Sequence, residues 1–146
     1  MAFHSGFVND GVDIMEQFTK DIGTSKSPRV IVPIVHLYLE HVFDLVLKKH
    51  WDKTSNVISE RTGYSEKIKI LYARNLIDDE HFETLKAINN IRNEFAHSFN
   101  PTDSKIENLT LKVKGHAYTT ERLWLDRYLN GAMNSTSVLC TLLEDH

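Results

Sequence analysis

Three observations predict an all-α protein. From Phe82 to Phe95 the residues Phe82, Leu85, Ile88, Ile91 and Phe95 recur at three- and four-residue steps, the period of an amphipathic helix. Behind Pro28, the stretch from Val30 to Leu47 carries Val30, Ile34, Leu37, Leu39, Phe43, Leu45, Val46 and Leu47 on nearly all sides. Such a helix belongs at the centre of a bundle or between copies. A strand's period of two occurs once, where Leu109, Leu111 and Val113 alternate with Thr110, Lys112 and Lys114. A lone strand needs a partner, so the expectation is at most one short β-hairpin or extended arm near residues 109–118, paired with residues 116–120 or with another protomer.

Along the chain, residues 9–22 (NDGVDIMEQFTKDI) read as a first helix capped by Asp10, with Val12, Ile14, Met15 and Phe18 on its apolar face. Gly23 to Ser27 form a polar linker. Pro28 suits the first turn of a second helix reaching about His50, and Pro33 falls near its start, where it costs less than in the middle. Residues 51–63 connect, with room for a short helical turn. Ser65 is the expected cap of a helix to Arg74 with Ile68, Leu71 and Tyr72 as its stripe, and Asn75-Leu76-Ile77 interrupts. Asp78 or Asp79 opens the next helix with acidic residues where the helix dipole favours them, and Asn100-Pro101 ends it. Thr119 or Thr120 caps a last helix to about Leu143, with Leu123, Trp124, Tyr128, Met133, Val138 and Leu139 among its apolar positions.

At 146 residues, with 41% hydrophobic and 10% aromatic content, one domain over 1–146 can bury a core of its own. A net charge of −3 argues against gripping nucleic acid by bulk electrostatics, while leaving room for a local basic cleft. The single Cys140 cannot make an internal disulfide and reads as a small core residue, compatible with a reducing cytoplasm. MAFHSGFVNDG lacks the charged start and apolar run of a secretory signal. Val30 to Leu47 comes nearest to a membrane span and is interrupted by His36, Glu40, His41 and Asp44, so no membrane association is expected. His36 and His41, five apart, diverge on a helix, and no His-Glu-x-x-His motif occurs. With 6 Gly and none clustered, a phosphate-binding glycine loop is excluded. Neither metal nor cofactor is expected.

The chemistry concentrates in Ile91-Arg92-Asn93-Glu94-Phe95-Ala96-His97. Arg offers a rigid fork of donors to a phosphate, and His exchanges a proton near neutral pH. Spacing alone is weak, since Arg29/His36 and Arg74/His81 show a similar one. Context singles out Arg92/His97. Positions four apart share a helix face, so Asn89, Asn93 and His97 form one polar stripe with Arg92 on its flank, directed away from Ile88 and Phe95. The bland alternative pairs Arg92 with an acid such as Glu40, lets the Asn residues satisfy backbone, and makes His97 a helix C-cap. Tyr38 and Tyr72 are weaker candidates to stack a base, and Lys48, Lys49, Lys67, Lys69 and Arg74 to frame a basic rim.

Arg92-Asn93-Glu94-Phe95-Ala96-His97 resembles the signature of the HEPN superfamily (higher eukaryotes and prokaryotes nucleotide-binding): Arg, a polar residue, three positions, then His. From Tyr64 to Phe99 the chain is closer still to the mannitol operon repressor family, with an aromatic-basic helix, a short Asn-Leu-Ile turn, an acidic-start helix and Ile-Arg-Asn-x-Phe-Ala-His. The similarity covers roughly residues 28–100, and Leu109 to Lys114 departs from it. The resemblance implies an all-α helical bundle that forms a homodimer. It also implies metal-independent endoribonuclease activity, of the kind that serves toxin–antitoxin or phage-defence systems with RNA as substrate and an antitoxin as partner. In that reading Arg92 and His97 are catalytic, Asn93 orients the phosphate or imidazole, and Glu40 and Asn89 are auxiliary. The rival expectation is a non-catalytic transcriptional regulator acting through a protein partner.

Overall fold

The computed structural model describes residues 11–25, 27–59, 61–98, 101–111, 113 and 123–144. All regular structure among them is helical: α1 (Gly11–Ile22), α2 (Pro28–His50), a single turn α3 (Thr54–Val57), α4 (Tyr64–Ala73), α5 (Asp79–His97), α6 (Asp103–Thr110) and α7 (Leu123–Thr141).

Burial follows the apolar periodicity. The helix α1 turns Ile14, Phe18 and Ile22 inward, four residues apart. Gly11 sets how near it comes to α7, because a Cβ there would lie 2.7 Å from the carbonyl oxygen of Cys140. Cys140 is itself buried, the core role its sequence context suggests. Pro28 occupies the first turn of α2, and Pro33 one turn later is exposed. Further along, Ile31, Val35, Leu39, Val42, Val46 and Leu47 are fully buried, and α2 packs against α1, α4, α5 and α7. By length and composition α2 is apolar enough to cross a membrane, but half of the qualifying stretch is buried inside the bundle.

Local signals set the boundaries. The helix α4 ends as Asn75 enters the left-handed region at φ 59°. The Leu76 N–H bonds the Leu71 carbonyl at 2.9 Å and the Asn75 N–H that of Tyr72 at 3.0 Å, a Schellman closure. The Asp78 carboxylate accepts from the His81 N–H at 2.9 Å and caps α5. Ser65 is not the cap of α4: Gly63 holds that place. The cap lies two residues earlier because Tyr64 is anchored, its hydroxyl donating to the Leu85 carbonyl at 2.8 Å. The expected caps Asp10, Thr119 and Thr120 lie outside the described residues.

The expected strand at 109–114 does not form where the chain is described. Leu109 and Thr110 end α6, whose cap Thr102 accepts from the Lys105 N–H. The governing spacing begins upstream. Ile106 and Thr110, four apart on α6, are buried, and so is Val113 in the bend after the helix, while Leu111 between them is 63% exposed, so the alternation does not set burial. Lys112 and residues 114–118 of the expected arm lie outside the described residues.

This burial pattern makes a prediction that a strand would not. Val113→Asp is expected to cost at least about 2 kcal/mol in urea unfolding, because it buries an unpaired charge. Leu111→Asp should change stability by no more than about 0.5 kcal/mol, whereas a strand face would respond alike at both positions.

Candidate functional site

The last turns of α5 expose a polar surface on a buried apolar spine. Ile88 and Ile91 are fully buried, Asn89 and Asn93 half-buried, and Arg92 and His97 exposed. Phe95 leans on Trp124 of α7, ring centroids 6.1 Å apart. Opposite lie the first turns of α2. Between the two runs an open groove of about 540 Å3, with Arg29, Pro33, His36 and Leu37 on the α2 side and Arg92, Phe95 and Ala96 on the α5 side. Among the described residues its charged or titratable lining is two guanidiniums and an imidazole, with no carboxylate.

Arg92 donates to the Asn93 Oδ1 at 3.4 Å. Among the described residues no carboxylate pairs with it, and the alternative Arg92–Glu40 bridge is absent. Glu40 is engaged elsewhere: one oxygen lies 3.4 Å from Lys67 Nζ and the other 3.6 Å from His36 Nε2. Lys67 comes from α4, is 5% exposed, and also pairs with Asp44 at 3.0 Å. A buried ammonium requires such partners.

His36 sits at the junction of α2, α4 and α5. Its ring stacks on Tyr64 with centroids 4.8 Å apart and planes 16° from parallel. Its Nδ1 is buried and makes no hydrogen bond among the described residues. Burial lowers its pKa below the usual histidine value; the positive charge of Arg92 lowers it further, Glu40 opposes, and Lys67 lowers it again. The imidazole facing the two arginines is therefore held in its neutral form.

His97 stands elsewhere. It is exposed at the end of α5 and does not line the groove, nor do Asn93 and Asn89. It does not close the helix either, since the Ser98 N–H reaches the Glu94 carbonyl at 2.9 Å. Glu94 is pinned by Lys105 of α6 at 2.9 Å and by Ser98 at 3.0 Å. The Lys105 contact, then that of Ser98, holds this carboxyl below its ordinary range, with His97 adding a smaller pull. One protomer thus joins Arg92 to Asn93 and sets Arg92 beside His36, with His97 outside the groove.

The other candidates serve the fold. Tyr38 is 1% exposed and its hydroxyl donates to Asp21, and Tyr72 stacks on Phe82 at 4.3 Å. Arg74 lies over the Trp51 ring. Lys49 donates to the carbonyls of Leu143 and Glu144 at 2.7 and 3.0 Å, anchoring the end of α7. No group of three or more His, Cys, Asp or Glu side chains among the described residues is placed to hold a metal ion. Compared with known families, curated proteins and solved structures, the chain matches none. Its function must be argued from the groove.

On sequence the Arg29/His36 spacing is noted and set aside in favour of Arg92/His97. Arg29 and His36 are seven apart, two helical turns, and so share a face of α2.

The neutral His36 carries a pH signature. A histidine whose folded pKa lies below its unfolded value of about 6.5 contributes stability that is complete above that pH and is lost as pH falls through the folded pKa. Between pH 7.5 and 5, wild-type thermal midpoints should fall more steeply than those of His36→Gln. His41, lowered by burial against the pull of Asp44, contributes with the same sign in both proteins. Parallel pH dependences would refute the neutral assignment of His36.

Proposed function

We propose that this chain is a metal-independent endoribonuclease of the HEPN type, acting as a homodimer on RNA. The observation that carries the reading is Arg92: an exposed guanidinium, without a carboxylate partner among the described residues, on a groove whose other titratable lining among those residues is Arg29 and His36. A groove with that lining favours an anion, and the rigid guanidinium fork matches a phosphodiester.

In this mechanism a ribose 2′-hydroxyl attacks the adjacent phosphorus while an imidazole accepts its proton. Arg92 stabilises charge growing on the phosphoryl oxygens. The 5′-oxygen leaves with a proton from a general acid, and a 2′,3′-cyclic phosphate remains. His97 is the proton-transfer group that the motif supplies, and Asn93, bonded to Arg92 at 3.4 Å, orients the guanidinium. Pairing of two protomers around the ends of their α5 helices would bring a second His97 to the same phosphate. No step calls on a metal or cofactor.

A second reading is favoured by the apolar strip beside the groove, where Val30 is 48% and Leu37 41% exposed. Such a strip also suits a protein contact, as a regulator resembling the mannitol operon repressors or a toxin held by an antitoxin requires.

Purified protein incubated with total RNA in EDTA distinguishes the readings. Wild type is expected to yield fragments with 2′,3′-cyclic ends. Arg92→Ala and His97→Ala should each lose about 10²-fold or more of the rate while keeping the fold. Absence of cleavage by well-folded wild type would remove the ribonuclease reading and leave the protein-binding one.

A further inference from the structure

Arg92 has a counterpart on the other wall of the groove. We propose that Arg29 is a second phosphate-binding residue and that the groove takes a single-stranded segment of RNA, with one phosphate on Arg92, the next on Arg29 and a base against the apolar wall between them. The inference rests on the ribonuclease reading and names the form of RNA that this surface accepts.

Four observations support it. Arg29 on α2 and Arg92 on α5 are both exposed and line the same groove from opposite helices, whose lining among the described residues includes no carboxylate. The two are rooted at different levels. Arg29 stands seven residues before His36 on α2, about 10 Å of helix rise, whereas Arg92 is near enough to His36 for its charge to act on the imidazole. Guanidiniums set apart along a groove suit two phosphates of one strand better than a single small anion. Between these levels the α2 wall is apolar and open: Pro33 is exposed and Leu37 is 41% exposed, with Phe95 lining the α5 side. Such a wall receives the flat face of a base only where that base is unpaired, which selects a single strand.

The fourth observation concerns the placement of the charge. Arg29 is a cation in the first turn of α2, where the helix dipole favours an acid and none is present. Helix stability therefore does not account for a positive charge at this position, whereas a bound phosphate does. The groove, at about 540 Å3, also has the size of a small-ligand site.

The test is binding of 2′-O-methyl-ApApA, which lacks the attacking hydroxyl and stays intact, to full-length wild type, Arg29→Gln and Arg29→Lys. Affinities come from NMR titration in EDTA at several salt concentrations, with the His36 ring signals reporting occupancy of the groove. Arg29→Gln is expected to bind about ten-fold more weakly, and the slope of log K on log salt should fall by about 0.7, the share of one single-strand phosphate. Arg29→Lys should keep that slope. Replacing one of the two phosphates by a neutral methylphosphonate should weaken wild type by a similar factor and leave Arg29→Gln nearly unchanged.

Should Arg29→Gln fail to fold, the methylphosphonate probes decide with wild type alone, and no loss of affinity from either replacement would overturn the inference. Equal affinity and equal salt slope in Arg29→Gln and wild type would overturn it, as would failure to bind the probe by a wild type that still cleaves total RNA; in each case the ribonuclease reading stands. An acetylated Glu-Phe-Glu peptide that binds as tightly as the trinucleotide would overturn it in favour of an acidic protein ligand. A folded wild type that neither binds the probe nor cleaves RNA would overturn both.

Discussion

A buried ammonium organises this bundle. Lys67 projects from α4 into the protein, and Asp44 and Glu40, one turn apart on α2, receive it at 3.0 and 3.4 Å. Leaving such a charge unpaired is far more costly than holding it in a pair. The register of α4 on α2 is therefore constrained to one that presents two carboxylates to one lysine. That register has consequences at the adjoining turn. Tyr64, three residues before Lys67, comes to lie flat on His36 and edge-on to Phe43, with its hydroxyl reaching α5 at Leu85. Glu40 is engaged by Lys67 and His36, and among the described residues the Arg92 guanidinium has no carboxylate partner.

The same central helix explains why the groove has an apolar wall. Apolar nearly all round, α2 buries its middle and C-terminal turns against α1, α4, α5 and α7. Near its N-terminus Val30, Pro33 and Leu37, at steps of three and four, remain exposed. The strip adjoins Arg29 and His36 on one side and Phe95 and Ala96 on the other. A phosphate ester offering both charge and a flat apolar surface suits such a lining better than a small inorganic anion does. With a chain charge of −3 overall, bulk attraction to a polyanion is not favoured, and any anion binding in this groove would weaken as salt rises.

Much of this was legible in the sequence where one strong local rule acted alone. The apolar steps from Phe82 to Phe95 and the acidic cap Asp78 placed α5, and the break at Asn75 is a helix closure that asparagine tolerates by adopting positive φ. Reading failed where a short window hid a longer period. Leu109, Leu111 and Val113 alternate only if Ile106 is ignored; Ile106 and Thr110 are buried one turn apart on α6, and Leu111 at its end is exposed. Ser65 is a good capping residue by type, but the anchoring of Tyr64 in the core fixed the helix start at Gly63. At the groove, the neighbour relations came from packing. Asn93, expected to orient a phosphate or an imidazole, accepts from Arg92, and the group across the groove from Arg92 is on a different helix, so only tertiary packing brings His36 to Arg92.

The two groups that face each other across the groove are electrostatically coupled. Burial and the Arg92 charge both disfavour the protonated imidazole, so His36 is held neutral. An anion seated on Arg92 would offset that positive charge with a negative one close by. The Coulombic contribution depressing the imidazole pKa would then shrink, while the contribution of burial would remain. Occupancy of the groove would therefore be felt at His36 even by a ligand that touches only Arg92.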